Sequence, residues 1–257
     1  MISFHSLEQA FWQSISEDHY ASQNVKAYIS PVTEVQSFNL CYIYEGADIS
    51  EITHVLNWYD AKSRDCMIIC PEGQTHLIIQ SHQTEWQLDN EDPTTAMVLQ
   101  LDQWQSIPNR VDGFTINLTN DDLSFWSYPL LTAFGSGNTL QDAIIIQQYQ
   151  KAHELALQQD LPLYHFVLML DNAPICNLTL TIMDKGARLD DIGTDVQHQG
   201  KGYATALIQH ALTFAKEQGA EYCTLEASSD GLSVYQKLGF KPLWNYHAYF
   251  RSHSILE

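Results

Sequence analysis

Basic residues are scarce in this chain of 257 residues. It carries 12 Lys and Arg against 31 Asp and Glu, which gives a formal net charge of −19. Because nonspecific nucleic-acid binding needs basic side chains to neutralise phosphates, this imbalance argues against that class of function. An acidic surface attracts cationic partners such as amines or polyamines, although acidity of this kind also simply aids solubility.

Cysteines are few and odd in number, and long apolar runs are lacking. Four of the five cysteines lie in apolar stretches and are interpreted as small core residues. Cys66 and Cys70 lack the second Cys or His pair that would complete a zinc pattern, so no metal is predicted. No run is long enough to span a bilayer, and the start "MISFHSLEQAFW" lacks the basic and apolar regions of a signal peptide. We therefore expect a cytoplasmic protein.

The pattern of the chain predicts an α/β protein in two parts. In the first hundred residues, "SLEQAFWQSI" and "ISEITHVLNWYDA" have helical spacing, and "CMIIC" and "TAMVLQL" are short apolar runs typical of strands. A linker, "LDQWQSIPNRVDG", follows. Strands are then predicted in "FTINL", "LYHFVLML", "ICNLTLTIM" and "ARLDDIGT". We place a small N-terminal α/β domain at 1–105 and a second domain at 106–257.

A glycine-rich stretch, Gln199 to Ala204, precedes an amphipathic helix that ends near Gly219. At such a strand-to-helix junction the unpaired N–H groups and the helix dipole favour an anion, and Gly200 and Gly202 let it approach the backbone. The stretch is neither a dinucleotide fingerprint nor a Walker A loop. By itself it could equally be a tight turn before a packed helix.

The segment that follows makes this pattern more specific. Gln199-x-x-Gly202-x-Ala204, followed by "LEASSDGLSVYQKLGF", resembles the acetyl-CoA-binding core of the GNAT-type N-acetyltransferase superfamily. The family motifs are Gln/Arg-x-x-Gly-x-Gly/Ala and a later Tyr-x-x-Leu-Gly-Phe. The resemblance spans Phe114 to Phe250 in element order and is sharpest from Asp190 to Phe240. It implies an α+β fold, the GNAT fold, with a mixed and mostly antiparallel sheet flanked by helices.

The resemblance also implies a coenzyme A site built largely from backbone groups. The backbone of the fourth family strand should pair with the pantetheine arm, here through Ile192, Gly193 and Thr194. The loop should hold the pyrophosphate through its N–H groups, and its residues are Gln199, Gly200, Lys201, Gly202, Tyr203, Ala204 and Thr205. Ser228 stands where many members have an Asn that contacts the cofactor. Tyr235 matches the tyrosine near the thioester sulfur, which acts as general acid for the leaving thiolate.

The implied reaction is direct attack of a primary amine on the thioester of acetyl-CoA. An ammonium cannot attack, so a carboxylate or a water must remove a proton. The candidate bases are Asp190 and Asp191 on the fourth family strand and Glu226 on the fifth, and each could also be a surface or structural group. Because side chains alternate along a strand, we expect Asp190 and Asp191 on opposite faces, so that at most one faces the cleft.

Two functions stay open at this point. The first is an N-acetyltransferase for a small-molecule or peptide amine, and the second is a non-catalytic acyl-CoA-binding module that acts as a sensor or scaffold. The N-terminal domain carries no readable motif. It is either a degenerate GNAT-like half that lost its cofactor loop or an unrelated extension that stabilises or oligomerises the protein. No nucleic-acid or membrane partner is expected, and a homodimer is possible.

Overall fold

The computed structural model describes residues 3–32, 35–81, 86–89, 93–135, 139–159 and 161–251. The elements of the first part are α1 (Phe4–Ser14), β1 (Asp18–Ala21), β2 (Val25–Ile29), β3 (Leu40–Ile43), α2 (Ile49–Ala61), β4 (Met67–Pro71), α3 (Gln74–Ser81), β5 (Trp86–Leu88) and β6 (Thr94–Gln100). Those of the second part are β7 (Phe114–Leu118), α4 (Ser124–Ser127), α5 (Leu130–Ala133), α6 (Thr139–Leu157), β8 (Leu163–Leu170), β9 (Ala173–Met183), β10 (Gly186–Thr194), α7 (Tyr203–Glu217), β11 (Tyr222–Ala227), α8 (Ser229–Lys237) and β12 (Lys241–Arg251).

Local sequence accounts for most of these elements. In α2 the apolar residues Ile52, Val55 and Tyr59 are buried along one stripe, and Asp48 caps the helix by accepting a hydrogen bond from the Glu51 N–H. The predicted strands "FTINL" and "ARLDDIGT" lie within β7 and β10, and "LYHFVLML" is β8. All five cysteines are buried, which confirms the interpretation of four of them as core residues.

The strands that the structure describes form one twelve-stranded sheet. Its order is β1-β2-β3-β4-β12-β6-β11-β10-β9-β8-β7, with β5 added beside the end of β12. Neighbours are antiparallel except for two parallel pairs, β3 with β4 and β10 with β11. The predicted α+β class, with a mixed and mostly antiparallel sheet flanked by helices, is therefore confirmed.

The two parts of the chain repeat one order of elements and exchange strands. The series α1-β1-β2-β3-α2-β4-α3 in the first part matches α6-β8-β9-β10-α7-β11-α8 in the second, and in both a helix connects the parallel pair. Near the middle of the sheet, β6 pairs with β11 and β12 pairs with β4, while β6 and β12 also pair with each other. The limits 1–105 and 106–257 stay a prediction; β6, from the first range, lies between two strands of the second.

Helices cover both faces of the second half of the sheet. One buried cluster joins α7 and α8 to the face that carries Leu178, Leu189 and Leu225. A second cluster joins α4, α5 and α6 to the opposite face, and Phe11 of α1 belongs to it. Because α1 contacts β9 and β10, the N-terminal part supplies one wall of the site described below. Of the helices in the described ranges, none is both long and apolar enough to cross a membrane.

Candidate functional site

The sheet opens between β10 and β11. These two strands pair in parallel over three residue pairs, from Gly186 with Tyr222 to Arg188 with Thr224. Beyond that point β10 keeps its pairing with β9, while β11 keeps its pairing with β6. In the described part of the chain no strand pairs with the β11-facing edge of β10 from Asp190 onward. The cleft therefore exposes unpaired backbone N–H and C=O groups along one strand edge.

A bulge in β10 changes which face its carboxylates occupy. The register with β9 shifts between Asp190 and Gly193, and Asp191 has a left-handed φ of 53°. Arg188, which packs on α1, donates to Asp190, and Tyr149 of α6 donates to Asp191. Both carboxylates thus lie on the face covered by α1 and α6. The expectation that they lie on opposite faces is wrong, because the extra residue of the bulge interrupts the alternation.

Arg188 joins the two diverging strands. Its guanidinium lies 2.9 Å from carboxylate oxygens of both Asp190 and Glu226, and its side chain is 1% exposed. The rings of Phe4 and Phe11 on α1 cover it at 5.7 and 6.0 Å. Burial raises the pKa of Asp190 and of Glu226, and Arg188 opposes both shifts. Two of the three candidate bases are therefore committed to one buried ion pair.

The N-terminal part extends this polar cluster with a third carboxylate. Glu8 of α1 is fully buried and accepts hydrogen bonds from the hydroxyls of Tyr44 and of Tyr246, the latter at 3.0 Å. The Tyr42 hydroxyl lies 3.4 Å from Glu226. Three carboxylates around one guanidinium leave the cluster with an excess of acidic groups, which suits a cation better than an anion.

Asp191 differs from the other candidate bases in having a free oxygen. Its Oδ1 accepts a hydrogen bond from the Tyr149 hydroxyl at 2.7 Å, but its Oδ2 is buried without a hydrogen-bond partner among the described residues. Burial raises the pKa of Asp191 to about 7; Asp190 adds to the shift, and Tyr149 opposes it. A carboxyl group that titrates near neutrality can take up and release a proton at physiological pH.

The glycine-rich loop presents an uncapped helix start. Gly200 and Gly202 have φ of 73° and 106°, a region that favours glycine, and a Cβ at Gly200 would meet nothing within 4 Å. Gly202 is the N-cap of α7, and no side chain caps the helix there. Gln199 donates to Thr194 O at 3.1 Å and Lys201 to Gln197 O at 2.8 Å. The first N–H groups of α7 are left for an external acceptor.

The corresponding helix of the first half is closed to an anion. In α2 the Asp48 carboxylate already caps the first turn, and Glu51 adds a second negative charge there. Repulsion by these groups excludes a phosphate from α2. Of the two equivalent helix starts, α7 alone has the chemistry of an anion site.

The cleft-facing edge of β10 requires a glycine at position 193. Gly193 and Thr194 pair with Asn177 and Cys176 of β9, so their opposite edge faces the cleft together with Ile192. A Cβ at Gly193 would lie 2.6 Å from the Asn177 Oδ1. Glycine is therefore required here for β10 to pass beside the Asn177 side chain.

Tyr235 lies on the other side of the sheet, on α8. Its side chain is 9% exposed, and burial raises the pKa of its hydroxyl, so the neutral form that can donate a proton is kept. Gly231 makes room for the ring, because a Cβ there would lie 2.7 Å from it. Ser228 accepts a hydrogen bond from the Gly231 N–H at 3.4 Å and is the N-cap of α8.

Arg110 is a basic residue near the loop that the sequence motifs do not reveal. Its Cβ lies 3.6 Å from the position of a Cβ built on Gly202. The buried side chain of Gln209 on α7 fixes this segment: it accepts from the Ile107 N–H at 2.6 Å and donates to Asn109 at 2.9 Å. The linker thus places the Cβ of Arg110 beside the helix start. The sequence offers no local signal for this, because Arg110 and Gly202 are far apart along the chain.

Comparisons with known proteins agree with this geometry. The model of the acetyltransferase (GNAT) family matches residues 134–240. N-acetyltransferase 8B of Homo sapiens is 39% identical over 64 residues, which are 24% of this chain and 28% of that protein. The uncharacterized N-acetyltransferase CgeE of Bacillus subtilis (strain 168) is 29% identical over 164 residues, covering 54% of this chain and 63% of CgeE. The chain thus matches less than two thirds of the length of either relative.

A solved structure extends the likeness to the whole chain. The GCN5-related N-acetyltransferase from Kribbella flavida superposes with a TM-score of 0.65 at 14% identity, covering 99% of this chain and 97% of that one. At this identity the likeness concerns the fold. Residues 134–240 match the acetyltransferase (GNAT) family, and the N-terminal part is included in the fold that this chain shares with the Kribbella flavida protein.

The ion pair between β10 and β11 gives a stability prediction. Replacing Arg188 by Met leaves Asp190 and Glu226 buried without their counter-charge, so we expect a loss of about 3–5 kcal/mol in the free energy of unfolding at pH 8. At pH 5 the loss should be smaller, because the unpaired carboxyls are then neutral. Urea denaturation at the two pH values measures both effects.

Arg64 provides the matched control. It pairs with Glu17 at 3.5 Å at the surface, so Arg64→Met should cost less than about 1 kcal/mol. Equal losses in the two variants would show that Arg188 does not hold the diverging strands.

Proposed function

We propose that this protein is an N-acetyltransferase that transfers the acetyl group of acetyl-CoA to a primary amine. The observation that carries the proposal is the open edge of β10, which leads from a buried acidic cluster to the uncapped start of α7. Family membership of the domain at residues 134–240 supports the reaction class. The tyrosine of the second motif, Tyr235, is buried and neutral beside the same strands.

The residues around the opening fit coenzyme A. Ile192, Gly193 and Thr194 offer backbone groups to the amides of the pantetheine arm, as an added strand would require. The N–H groups at the start of α7 offer neutral donors to the pyrophosphate, and Arg110 adds one positive charge. Bound acetyl-CoA supplies the activated acyl carbonyl that an amine attacks.

Three side chains have separate roles in the proposed reaction. Asp191 takes a proton from the acceptor ammonium, since its pKa near 7 allows this at neutral pH. Tyr235 gives a proton to the departing sulfur, because burial keeps its hydroxyl protonated. Arg188 holds Asp190 and Glu226 in one buried ion pair, so that both carboxyl groups are fixed in place and neither is the proposed proton acceptor.

The acceptor we propose is a cationic amine, either a small molecule or a peptide amino group. The acidic excess formed by Glu8, Asp190 and Glu226 lies on the α1 side of the opening, opposite Tyr235. Tyr246 and Trp244 pack there with their rings 6.0 Å apart, and aromatic faces beside carboxylates are a setting in which ammonium groups bind. The net charge of −19 attracts such a substrate from a distance.

Gly202→Glu tests the loop assignment. Its carboxylate would occupy the place of the pyrophosphate, so we expect the Kd for CoA to rise at least about 100-fold, by repulsion and lost contacts. Isothermal titration gives the Kd, and circular dichroism checks the fold. Gly219→Glu is the control, because Gly219 lies at the other end of α7 with a similar φ of 90° and open surroundings. Equal CoA affinities in the two variants would refute the site.

Arg110→Gln tests the charge beside the loop. One charge-assisted contact to a phosphate is lost, so we expect CoA to bind about 10-fold more weakly while pantetheine, which lacks the phosphates, is unaffected. Titrations with both compounds separate these effects. Arg64→Gln, at a surface ion pair, should leave both affinities unchanged. A parallel loss for pantetheine would mean that Arg110 acts through the fold.

Tyr235→Phe tests catalysis. Loss of the general acid should lower kcat about 100-fold or more with little change in CoA affinity. The assay is thiol release from acetyl-CoA across a panel of amines. Tyr222→Phe is the matched control, since Tyr222 is also 9% exposed and its hydroxyl accepts a hydrogen bond from the Ser3 N–H. If the wild-type protein binds CoA but turns over no amine, it is instead an acyl-CoA-binding module.

A further inference from the structure

A row of buried polar side chains ends at the free oxygen of Asp191. It runs from Asn120, which follows β7, through His165 of β8 to His153 of α6. The Asn120 Oδ1 lies 3.1 Å from His165 Nδ1, and His165 Nε2 lies 2.9 Å from His153 Nδ1. His153 Nε2 then lies 3.7 Å from Asp191 Oδ2. Both histidines are fully buried, so no solvent replaces these contacts.

The contact between Asn120 and His165 determines which nitrogen of His165 carries a hydrogen. Asn120 donates through its Nδ2 to Leu163 O at 2.8 Å, which orients the amide so that Oδ1 faces His165. This oxygen also accepts from the His165 backbone N–H at 2.9 Å. His165 Nδ1 must therefore carry a hydrogen. Burial lowers the pKa of His165 to about 3, so the ring is neutral and its Nε2 is an acceptor.

The same reasoning sets the tautomer of His153. Since His165 Nε2 accepts, His153 Nδ1 must donate. Burial lowers the pKa of His153 well below its usual value, with His165 adding to the shift, so its Nε2 carries no hydrogen. This lone pair faces Asp191 Oδ2, and neither atom has a hydrogen-bond partner among the described residues. Two facing lone pairs in a buried site repel each other unless one proton lies between them.

We propose that His153, held in one tautomer by His165 and Asn120, is a positioning residue that orients Asp191 as the proton acceptor of acetyl transfer. The inference rests on the proposed function. An N–H bond of the acceptor ammonium breaks, and its proton passes to Asp191. The C–N bond then forms as the C–S bond breaks, and the second proton of the nitrogen ends on the sulfur through Tyr235. His153 exchanges no atom; it accepts the hydrogen bond of the protonated carboxyl.

The other groups around the pair are neutral or already paired. Asp191 faces Asp190 and Arg188 from its own strand, which form the ion pair with each other, Tyr149 from α6, and Thr179 of β9, whose hydroxyl opposes the rise in the pKa of Asp191. Burial raises the pKa of Tyr149 well above its usual value, so it stays protonated and donates to Oδ1. Trp126 packs on His153 with ring centroids 4.5 Å apart. The exchangeable proton of this group is the one between Asp191 and His153.

Nitrogen NMR of the cofactor-free protein tests the arrangement without any turnover. With ¹⁵N-labelled histidine, we expect two imidazoles that stay neutral from pH 6 to 8 with the hydrogen on Nδ1. His153→Gln and His165→Gln, each of which removes one signal pair, assign them. A hydrogen on Nε2 of His153, or a charged His153 ring at neutral pH, would overturn the inference.

The pH profile tests the functional consequence. In His153→Gln an amide N–H can donate to the carboxylate, which favours the ionised form of Asp191. The acid limb of kcat/KM for the amine should therefore move about one unit to lower pH, a tenfold change in the proton affinity of Asp191. His247→Gln is the control, because the His247 Nε2 is also buried without a hydrogen-bond partner among the described residues, but it lies on β12, which β6 and β11 separate from β10.

The outcomes separate the two proposals. Absence of amine turnover in the wild-type protein refutes the proposed function. Turnover in the wild type, with the acid limb at the same pH in His153→Gln and His247→Gln, refutes the role of His153 alone. If His153→Gln does not fold, the tautomers measured in the wild-type protein and in His165→Gln still decide the arrangement.

Discussion

The separation of β10 and β11 after three paired residues is the constraint on which the rest of the site depends. Two parallel strands that stayed paired would use up the backbone groups that a pantetheine arm needs. Arg188 stabilises the separated strands, because its guanidinium forms an ion pair with one carboxylate on each strand at the point where the two strands separate. The bulge at Asp191 follows immediately, and it turns a second carboxyl toward the same face. One local divergence thus leaves the edge of β10 open, and the bulge beside it carries the carboxyl group that we propose as the proton acceptor.

The first half of the chain completes a site whose cofactor groups it does not provide. It repeats the element order of the second half, and the exchange of β6 and β12 makes the two halves one sheet. The start of α2 is closed by Asp48 and Glu51, whereas α7 begins at an uncapped glycine. The first half also contributes α1, whose Glu8 and two phenylalanine rings lie around the guanidinium of Arg188. The start of α7 therefore differs from that of α2 in being open to an anion, and in the proposed function the first half of the chain forms the acceptor wall.

Local sequence predicts those parts of the fold that local interactions determine. The bounds of α2 and β7 follow from apolar spacing, and the loop before α7 is recognisable by its glycines. The face of Asp191 is not predictable in this way, because a bulge is set by the register with β9 and not by the strand's own residues. The partners of His153 cannot be predicted from local sequence for a similar reason. They come from β8 and from Asn120 in the loop after β7, and no spacing within α6 indicates them.

The net charge of the protein is compatible with the proposed cofactor site, in which most donors are neutral backbone N–H groups. A chain with a net charge of −19 repels a polyanion such as coenzyme A, and many added basic residues would weaken its attraction for a cationic acceptor. Backbone N–H groups at the start of α7 bind phosphate through fixed partial charges that act only within the first turn. In the proposed function Arg110, whose Cβ lies beside Gly202, adds a positive charge there. Under that proposal, cofactor and acceptor are recognised by opposite potentials on opposite sides of one cleft.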